Sequence, residues 1–527
     1  MPFAEPAPRR RRFIQAAAFS AAAPSLWLAG CATQARDSGA TALTDLARDY
    51  RLANRLSWGA TDAELDRVRR LGAAAYVDEQ LRAAAGPLPA AAQAQIDAMR
   101  MQQRTPLDLW TEIDAARKAG EALPTEDARK AAQAAYQQAL NAPAREAASR
   151  HLLRALYSPN QLLEQMQWFW LNHFNVHQYK NNIRVLLGDY EERAIRPHAL
   201  GRFRDLLGAV TRHPAMLRYL DNEQNAAARI NENHARELLE LHTLGVDGGY
   251  AQRDVQELAR VLTGHGVNFS DKTPNFKPEL AARYVRSGIY EFNPARHDFG
   301  DKALLARSIK GRGAAELDEV LDVLAVHPAT ARFVSRKIAR HLLADEPPEA
   351  LLQAMAAAWL RSDGRIAEVL SVLLRAPEFS APAALKFKDP THFVVSAVRA
   401  CYGERVVLNT APMQAWLNRM GQGLYNRQTP DGYPSNAASW SSSGQMAARL
   451  DIARTLGGGS AGLFKGERVD EATAPRELAA FPQLARPLYW QVLRPALAAT
   501  TREALDAAAS PQDWNALYLS APEFMFA

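Results

Sequence analysis

The sequence predicts a mainly α protein, a large multi-helical orthogonal assembly with little or no sheet. Apolar residues recur at three- and four-residue spacing through most of the 527-residue chain, as they do on the buried faces of helices. The alternation of apolar and polar residues that would indicate strands is scarce. Hydrophobic residues make up 48% of the chain and charged residues 23%, which is typical of a globular protein with a sizeable core.

The charge of the chain does not indicate a nucleic-acid partner. The formal net charge is +6, and the four arginines Arg9 to Arg12 together with Glu5 account for half of it. No later segment combines dense lysine and arginine with interleaved aromatic residues. Nucleic acid is therefore not an expected ligand.

The first element along the chain is an export signal. "PRRRRFIQ" (8–15) places Arg10 and Arg11 as in a twin-arginine signal, and an apolar run over 16–30 is too short to span a membrane. The run ends in "LAGC" (28–31), which resembles a bacterial lipobox. We therefore predict an exported protein held at the periplasmic face of the cell envelope by a lipid on Cys31. Some proteins use this route because they acquire a cofactor before export, but no pattern here indicates which cofactor.

A lipidated cysteine and a polar tether are predicted over 31–45, and helical elements follow them. A single helical domain is predicted over 46–527, with an alanine-rich helical insertion over 83–150 and a C-terminal subdomain over 405–527. Thr61 and Glu64 have the spacing of a capping box at a helix start. Further helices are predicted at 162–174, 202–213, 253–264, 315–327 and 330–343. "LLRAPEFS" (373–380) and "LYLSAPEFM" (517–525) resemble each other and could record an internal duplication.

The most informative stretch is "NENHARELLELHTLGVDGGY" (231–250). On a helical wheel the apolar arc holds Ala235, Leu238, Leu239 and Leu241, with His234 and His242 inside it. The opposite face holds Glu232, Asn233, Arg236, Glu237 and Glu240. Arg236 lies four residues from both Glu232 and Glu240, so two ion pairs are expected. If this face is solvated, the pairs contribute little and carry no function; if another layer covers it, the carboxylates acquire shifted pKa values suited to acid–base chemistry. The residues alone favour the solvated face.

A resemblance to a known family favours a covered face over a solvated one. The segment "NENHARELLELHTLGVDGGYAQRDVQELARVLTG" resembles the signature block of the bacterial family called domain of unknown function 1800. The resemblance continues, in order, through "NRLSWGAT" (54–61), "WFWLNHF" (168–174), "YEERAIRPHALGRFRDLL" (190–207), "HPAMLRYLDN" (213–222), "HDFGDKALL" (297–305), "HPATARFVSRKIARHL" (327–342), "MGQGLYNRQTPDGYP" (420–434) and "SAPEF" (520–524). It covers nearly the whole mature chain and implies no settled activity. It does imply an exported protein, often accompanied by a co-exported protein of the domain of unknown function 1501 family.

The resemblance also bears on individual positions. The family pattern includes Asn231, Glu232, Arg236, Glu237, Glu240 and His242, and this implies more than a solvated surface, so we predict that the Arg236 face is buried. The chain departs from the pattern at His234, where an aromatic residue is usual, at His265, where tryptophan is usual, and at Ala251, where a threonine would cap the next helix.

Three further motifs contain residue types that can carry chemistry. His173 and His177 have the spacing of two metal ligands on a helix, although a buried core histidine is the commoner outcome for His173. "GGSAG" (458–462) matches the nucleophile-elbow pattern at Ser460, but a helical segment rather than a strand precedes it, which excludes that assignment. "ARHDFGDK" (295–302) gathers His297, Asp298 and Lys302 in one polar loop, where a histidine–aspartate pair could orient a general base or a cation.

These observations define three hypotheses. The leading one is an enzyme-like, hydrolase-like polar centre where the 231–242 helix meets the 168–174 helix and the 296–302 loop. There Glu237 or Glu240 acts as acid or base, Arg236 holds an anionic group, and His242 or His297 with Asp298 moves protons. Asn231, Glu232 and Lys302 are the predicted substrate-binding residues. The competing hypothesis is a non-catalytic envelope scaffold that docks an exported partner, and the third is a metal or redox cofactor site on the histidines. A catalytic centre should line a cavity, whereas a brace should pair every charge.

Overall fold

The fold is built almost entirely from helices, which confirms the predicted mainly α class. The structure, a computed structural model, describes residues 34–82, 84, 86–270, 272–381, 385–403, 405–465 and 481–527, with the backbone only for 34–44. Arg10, Arg11 and Cys31 lie outside the described residues. No helix within them is long and apolar enough to cross a membrane.

The first third of the described chain is purely helical, because it combines capping residues with long amphipathic runs. Thr61 and Glu64 form the predicted capping box, with the Glu64 amide donating to Thr61 Oγ1 over 3.3 Å and the Thr61 amide donating to Glu64 Oε2 over 3.0 Å. The helices here are α1 (Gln34–Leu56), α2 (Asp62–Leu71), α3 (Ala73–Gln80), α4 (Ala90–Asp97), α5 (Arg100–Gln103), α6 (Pro106–Glu121), α7 (Glu126–Tyr157) and α8 (Gln161–His173).

The central part adds the only strands found in the described residues. Its helices are α9 (Leu187–Asp189), α10 (Phe203–Arg212), α11 (Pro214–Tyr219), α12 (Asn233–Glu237), α13 (Gln252–Val261), α14 (Pro278–Ala281), α15 (Ala315–Ala325), α16 (Pro328–Leu342), α17 (Glu349–Arg361), α18 (Ile366–Arg375) and α19 (Pro377–Ser380). The strands are β1 (His265–Val267), β2 (Val285–Ser287), β3 (Tyr290–Phe292), β4 (Lys302–Leu304) and β5 (Arg307–Ile309). They form an antiparallel sheet in the order β1-β3-β2, with His265 opposite Phe292, and a β4-β5 hairpin with Lys302 opposite Ile309.

The C-terminal part returns to helices that pack on the same core. They are α20 (Pro390–Tyr402), α21 (Ala411–Arg419), α22 (Ser443–Gly457), α23 (Arg494–Ala496), α24 (Ala499–Asp506) and α25 (Pro511–Ser520). Residues Asp45–Ala527 form one compact unit, and one large hydrophobic core runs through it from Leu52 to Met525. The two Pro-Glu-Phe segments share one local structure: Ala376 and Ala521 are extended, and the proline after each begins a short helix.

The 231–244 segment is not the single regular α-helix that the wheel assumed. After α12 the chain widens into a π-helix over Leu238–Thr243, in which the Leu244 amide donates to the Leu239 carbonyl over 2.8 Å. Thr243 Oγ1 donates to the Leu238 carbonyl over 2.6 Å and so supports the wide turn. As a result Thr243 is buried while Leu241, assigned to the apolar arc, is only half-buried. Such wide turns are rare and occur frequently at functional sites.

Candidate functional site

A cavity of about 450 Å³ lies between α8, α16 and the loop that precedes α22. We call it the Lys337 cavity. Its walls are Trp168, Phe169, Asn172 and His173 of α8, Phe333, Lys337, Arg340 and His341 of α16, Asp389, and residues 427 and 431–436 of the loop. All three walls come from segments that carry the family resemblance in the sequence.

The loop wall is held to α8 through its main chain. Asn172 Nδ2 donates to the Tyr433 carbonyl over 2.9 Å, and the Tyr433 amide donates to Asn172 Oδ1 over 2.6 Å. Asn175 Nδ2 donates to the carbonyls of Arg427 and Thr429 over 3.0 and 2.8 Å. Gly432 has φ +78°, and a Cβ there would lie 2.2 Å from the Asn172 carbonyl oxygen. The close approach of loop and helix therefore requires glycine at this position.

The base of the same loop is fixed by a buried carboxylate. Glu191, in the π-helix Tyr190–Ile195, accepts from Tyr425 Oη over 2.7 Å and pairs with His151 Nδ1 over 2.6 Å. Burial alone would raise the pKa of Glu191, but His151, Arg150 and the Tyr425 hydroxyl lower it to about 2. Tyr425 has a left-handed backbone, with φ 57°, a strained conformation that its surroundings must hold in place.

Lys337 is the unusual group in the cavity. Its side chain is partly buried and lines the cavity, with Nζ 5.4 Å from the centre of the Phe333 ring. It makes no hydrogen bond or ion pair with any described residue. Burial lowers the pKa of Lys337 to about 8, and the nearby Asp431 carboxylate only partly opposes this. An ammonium without a countercharge in such a place is costly.

The other cations of the cavity already have partners. Arg427 forms two hydrogen bonds with Asp431, of 3.0 and 2.9 Å. Arg340 Nε donates to the Asp345 carbonyl over 2.8 Å, and its guanidinium also pairs with Glu346. Lys337 is thus the cation in this cavity that is free to bind an added anionic group.

The two histidines of the cavity are held neutral. Burial, together with Lys337 and His242, lowers the pKa of His173 far below its ordinary value, and His173 Nε2 donates to the His242 carbonyl over 3.1 Å. Burial lowers the pKa of His341 to about 4. Both rings therefore act near neutral pH as uncharged hydrogen-bonding groups.

The predicted catalytic helix borders this cavity without lining it. Gly245, just after the π-helix Leu238–Thr243, packs against the Phe333 ring. His242 is buried, and burial with His234 and Lys337 lowers its pKa well below the ordinary value. Glu237 is half-buried, and burial, Glu240 and Asp431 raise its pKa against the opposing effect of Arg236. The pKa values of Glu237 and Lys337 are thus both shifted toward neutrality, with Asp431 close to both.

The prediction that the Arg236 face is buried is wrong. The Arg236 side chain is 41% exposed and its partner Glu232 is 31% exposed, with 3.0 Å between NH2 and Oε2. Gln252 bridges the two, donating to Glu232 over 2.7 Å and accepting from Arg236 over 3.0 Å. The layer next to Arg236 is the polar edge of α13, which does not cover it. Asn231 accepts from the Asn233 amide over 3.0 Å, so its side chain supports the start of the helix.

The 296–302 loop belongs to a different site, because its hydrogen bonds and ion pairs involve neither Glu237 nor Lys337. His297 Nε2 pairs with Glu316 Oε1 over 3.0 Å, and Lys302 Nζ pairs with Glu316 Oε2 over 2.5 Å, with all three side chains fully buried. His297 Nδ1 donates to the Thr263 carbonyl over 2.8 Å, and the Gly313 amide donates to Glu316 over 2.7 Å. Burial would raise the pKa of Glu316, but these partners lower it. We call this set the Glu316 brace.

Asp298 is also committed to a structural pair. Its two oxygens accept from Arg260 Nε and NH2 over 2.7 and 3.1 Å. The Arg260 hydrogen bond is the main cause of the lowered pKa of Asp298. The predicted convergence of the 231–242 helix, the 168–174 helix and the 296–302 loop therefore holds for the two helices only, through His173 and His242.

A metal site is not found within the described residues. No group of three or more histidine, cysteine, aspartate and glutamate side chains there is placed to hold a metal ion. His173 is hydrogen-bonded to the His242 carbonyl, while His177 packs edge-on against Tyr179 with 5.5 Å between ring centres. Ser460 follows the helix α22 and not a strand, so it does not lie in a nucleophile elbow, as predicted.

The cavity residues Lys337, Arg427 and Asp431 were not predicted from the sequence. A signal was present, because Phe333, Lys337 and His341 recur every four residues and so share one face of α16. A lysine between two aromatic rings on a face that is otherwise apolar indicates a buried or cavity-facing cation.

The fold and the cavity define a mainly α protein with a cavity whose lining includes the unpaired lysine Lys337. The chain belongs to the family described as protein of unknown function (DUF1800), whose family model matches residues 51–526. No curated protein and no solved structure is detectably similar to it.

Proposed function

We propose that the chain is an exported, lipid-anchored protein of the cell envelope whose Lys337 cavity is the active site of a hydrolase-like enzyme acting on a small anionic substrate. One observation carries the proposal: Lys337 faces the cavity with no hydrogen-bond or ion-pair partner among the described residues. The export signal and lipobox over 8–31 support the location.

Binding follows from the charge of the cavity. A substrate carboxylate or phosphate would supply the countercharge that Lys337 lacks, with charge-assisted hydrogen bonds that are stronger than neutral ones. The volume of about 450 Å³ lies within the range of small-molecule sites. Trp168, Phe169 and Tyr433 give the apolar surface that would contact the rest of the substrate.

Chemistry follows from the pKa of the same lysine. A pKa of about 8 allows Lys337 to take up and release a proton near neutral pH. In hydrolysis the Lys337 ammonium that binds the substrate donates a proton to the leaving group as water attacks, and the proton released by that water restores the ammonium. Glu237 does not line the cavity. Its raised pKa nevertheless makes it, after Lys337, the second group near Asp431 that can hold a proton.

The competing proposal is a scaffold that docks a co-exported protein of the domain of unknown function 1501 family. In the Glu316 brace His297 and Lys302 are fully paired and buried, which fits a structural role for these residues. These residues stabilise the fold under either proposal, so the two differ in what Lys337 does.

The reactivity of Lys337 toward an anionic aldehyde tests the proposal. Pyridoxal 5′-phosphate is added to the folded protein near pH 7.5, the imine is trapped with borohydride, and labelled peptides are quantified by mass spectrometry. Lys310 is the internal control, because its side chain is 69% exposed and paired with Asp301. A pKa of about 8 gives Lys337 a neutral-amine fraction on the order of 10²-fold above that of an ordinary lysine. We expect preferential labelling of Lys337; labelling no faster than at Lys310 would contradict an open, reactive site.

A cellular test addresses catalysis. The gene is deleted, and complementation of the resulting phenotype is compared at matched protein level for Lys337→Gln, Glu237→Gln and the control Lys310→Gln. We expect Lys337→Gln to fail although it folds, Lys310→Gln to succeed, and Glu237→Gln to complement weakly. Full complementation by Lys337→Gln would end the enzyme proposal and favour the scaffold.

A further inference from the structure

A larger cavity, of about 850 Å³, lies between α7, α21 and the loop 174–182 that follows α8. We call it the amide cavity, because a set of asparagine and glutamine side chains lines it: Asn141, Gln178, Asn409, Gln414 and Asn418. Its volume lies within the range of sites for small organic molecules. Among the described residues it shares no wall with the Lys337 cavity.

Two of these amides have one end fixed and the other end free. Asn141 Oδ1 accepts from Arg184 NH1 over 2.7 Å, and Gln414 Nε2 donates to Ser149 Oγ over 3.1 Å. Asn141 Nδ2 and Gln414 Oε1 have no partner in the described part of the chain, and neither atom is shielded from solvent. The exposed Asn418 side chain makes no hydrogen bond with any described residue. The walls therefore offer free donors and free acceptors, two of them with a fixed direction.

An exposed aromatic ring forms part of the same cavity. Tyr179 lines it and is 57% exposed. The loop that carries the ring is held on both sides, since the Gln178 amide donates to the Tyr425 carbonyl over 2.9 Å and Lys180 Nζ pairs with Asp221 over 2.7 Å. Because the loop is already fixed, the ring can contact a ligand with little further loss of conformational freedom.

The charged groups of the cavity do not require a charged ligand. Arg145 and Lys465 are exposed to water. Glu146 Oε2 accepts from the Met101 amide over 3.0 Å. Within the described part of the chain, the amide cavity thus has no buried charge that lacks a partner, unlike the Lys337 cavity.

We infer that the amide cavity is a binding site for a neutral saccharide. Sugar hydroxyls donate and accept hydrogen bonds, and so match free amide donors and acceptors. The C–H face of a sugar ring packs on an aromatic ring such as that of Tyr179. An apolar ligand would bury the free amide atoms without partners, which is unfavourable. An extended peptide also pairs with amides, but its main chain offers no broad C–H face for the Tyr179 ring. This site is independent of the proposed chemistry at Lys337.

Titration of the full chain with maltotriose, cellotriose and chitotriose, followed by ligand-observed nuclear magnetic resonance, tests the inference. We expect saturable binding of at least one trisaccharide at one site. Asn418→Ala removes neutral hydrogen bonds and should weaken binding by about 2- to 10-fold, and Tyr179→Ala should weaken it at least as much. Two controls should leave it unchanged: Trp490→Ala, at an aromatic residue that is 53% exposed outside the cavity, and Gln512→Ala, at an exposed amide outside it.

The variants also identify where a sugar binds. Asn418 and Tyr179 are exposed, so their variants should fold, and thermal midpoints equal to that of the unaltered protein verify this. Unchanged affinity in both variants would place the sugar elsewhere and overturn the inference. Loss of binding in Lys337→Met would assign the sugar to the Lys337 cavity, with the same consequence. Absence of saturable binding of all three sugars, or tighter binding of tetraglycine than of any of them, would also overturn it.

Discussion

Replacing His234 with phenylalanine should make the protein less sensitive to acid. His234 is fully buried, and neither of its ring nitrogens has a hydrogen-bond partner among the described residues. Burial lowers its pKa from 6.5 to about 3. The folded state therefore holds a neutral ring, while the unfolded state binds a proton once the pH falls below about 6.5.

The size of the effect follows from that difference in proton binding. The pKa of His234 is lower in the folded state than in the unfolded state. The contribution of His234 to the free energy of unfolding is therefore fully present above pH 6.5 and is lost as the pH falls toward 3. Each pH unit within this window costs about 1.4 kcal/mol for one proton, so between about pH 7.5 and pH 5 the loss at His234 is about 2 kcal/mol. Phenylalanine removes this loss.

The assay compares the two proteins at both pH values. Denaturant unfolding followed by tryptophan fluorescence gives the free energy of unfolding for each, and the quantity of interest is how much the difference between them changes with pH. The slightly larger phenylalanine ring alters packing, but equally at both pH values, so this term cancels. Leu238→Met, at a buried neighbour without a titrating group, is the control and should shift both values alike. A pH dependence identical in His234→Phe and the unaltered protein would refute the reasoning.

Three further outcomes are expected. Arg236→Ala should lower the free energy of unfolding by only about 0–1 kcal/mol in thermal or denaturant unfolding, because its pair with Glu232 is exposed; a loss of several kcal/mol would show that the face is covered. Lys302→Met should cost about 3–5 kcal/mol in the same measurement, since it leaves the buried Glu316 without its ammonium partner, and a near-neutral result would contradict the Glu316 brace. Mass spectrometry of the membrane fraction should find a lipid-modified peptide that begins at Cys31, and a Cys31→Ala protein that is still acylated and membrane-held would contradict the lipobox assignment.

Features that depend on residues close together in the chain were predicted correctly. The capping box of Thr61 and Glu64 involves residues three apart, and helical spacing of apolar residues marks α8 and α16 within a few positions. The π-helix Leu238–Thr243 was not predicted, because one widened turn leaves no distinctive spacing of apolar residues in the sequence. The wheel cannot show this, since it assumes the regular period throughout.

The site was harder to predict because its charged residues pair with residues that lie far away in the sequence. His297 and Lys302 were seen together, but Glu316 lies 19 and 14 residues beyond them and was interpreted as part of an ordinary amphipathic helix. Which lysine lacks a partner is likewise a property of the folded chain. Lys337 differs from Lys310 only in what surrounds it, and that is decided by loops that fold back from elsewhere in the sequence.

The manner in which α8 holds the cavity loop has a consequence for how the family can diversify. Asn172 and Asn175 bind the main-chain groups of residues 427–433, and every amino acid supplies those groups. Substitutions at Arg427 and Asp431 can therefore change the charge and shape that a ligand meets without releasing the loop, as long as Gly432 remains. Under the proposed function, substrate specificity can therefore change while the loop keeps its position, and related chains with the same asparagines would bind chemically different molecules.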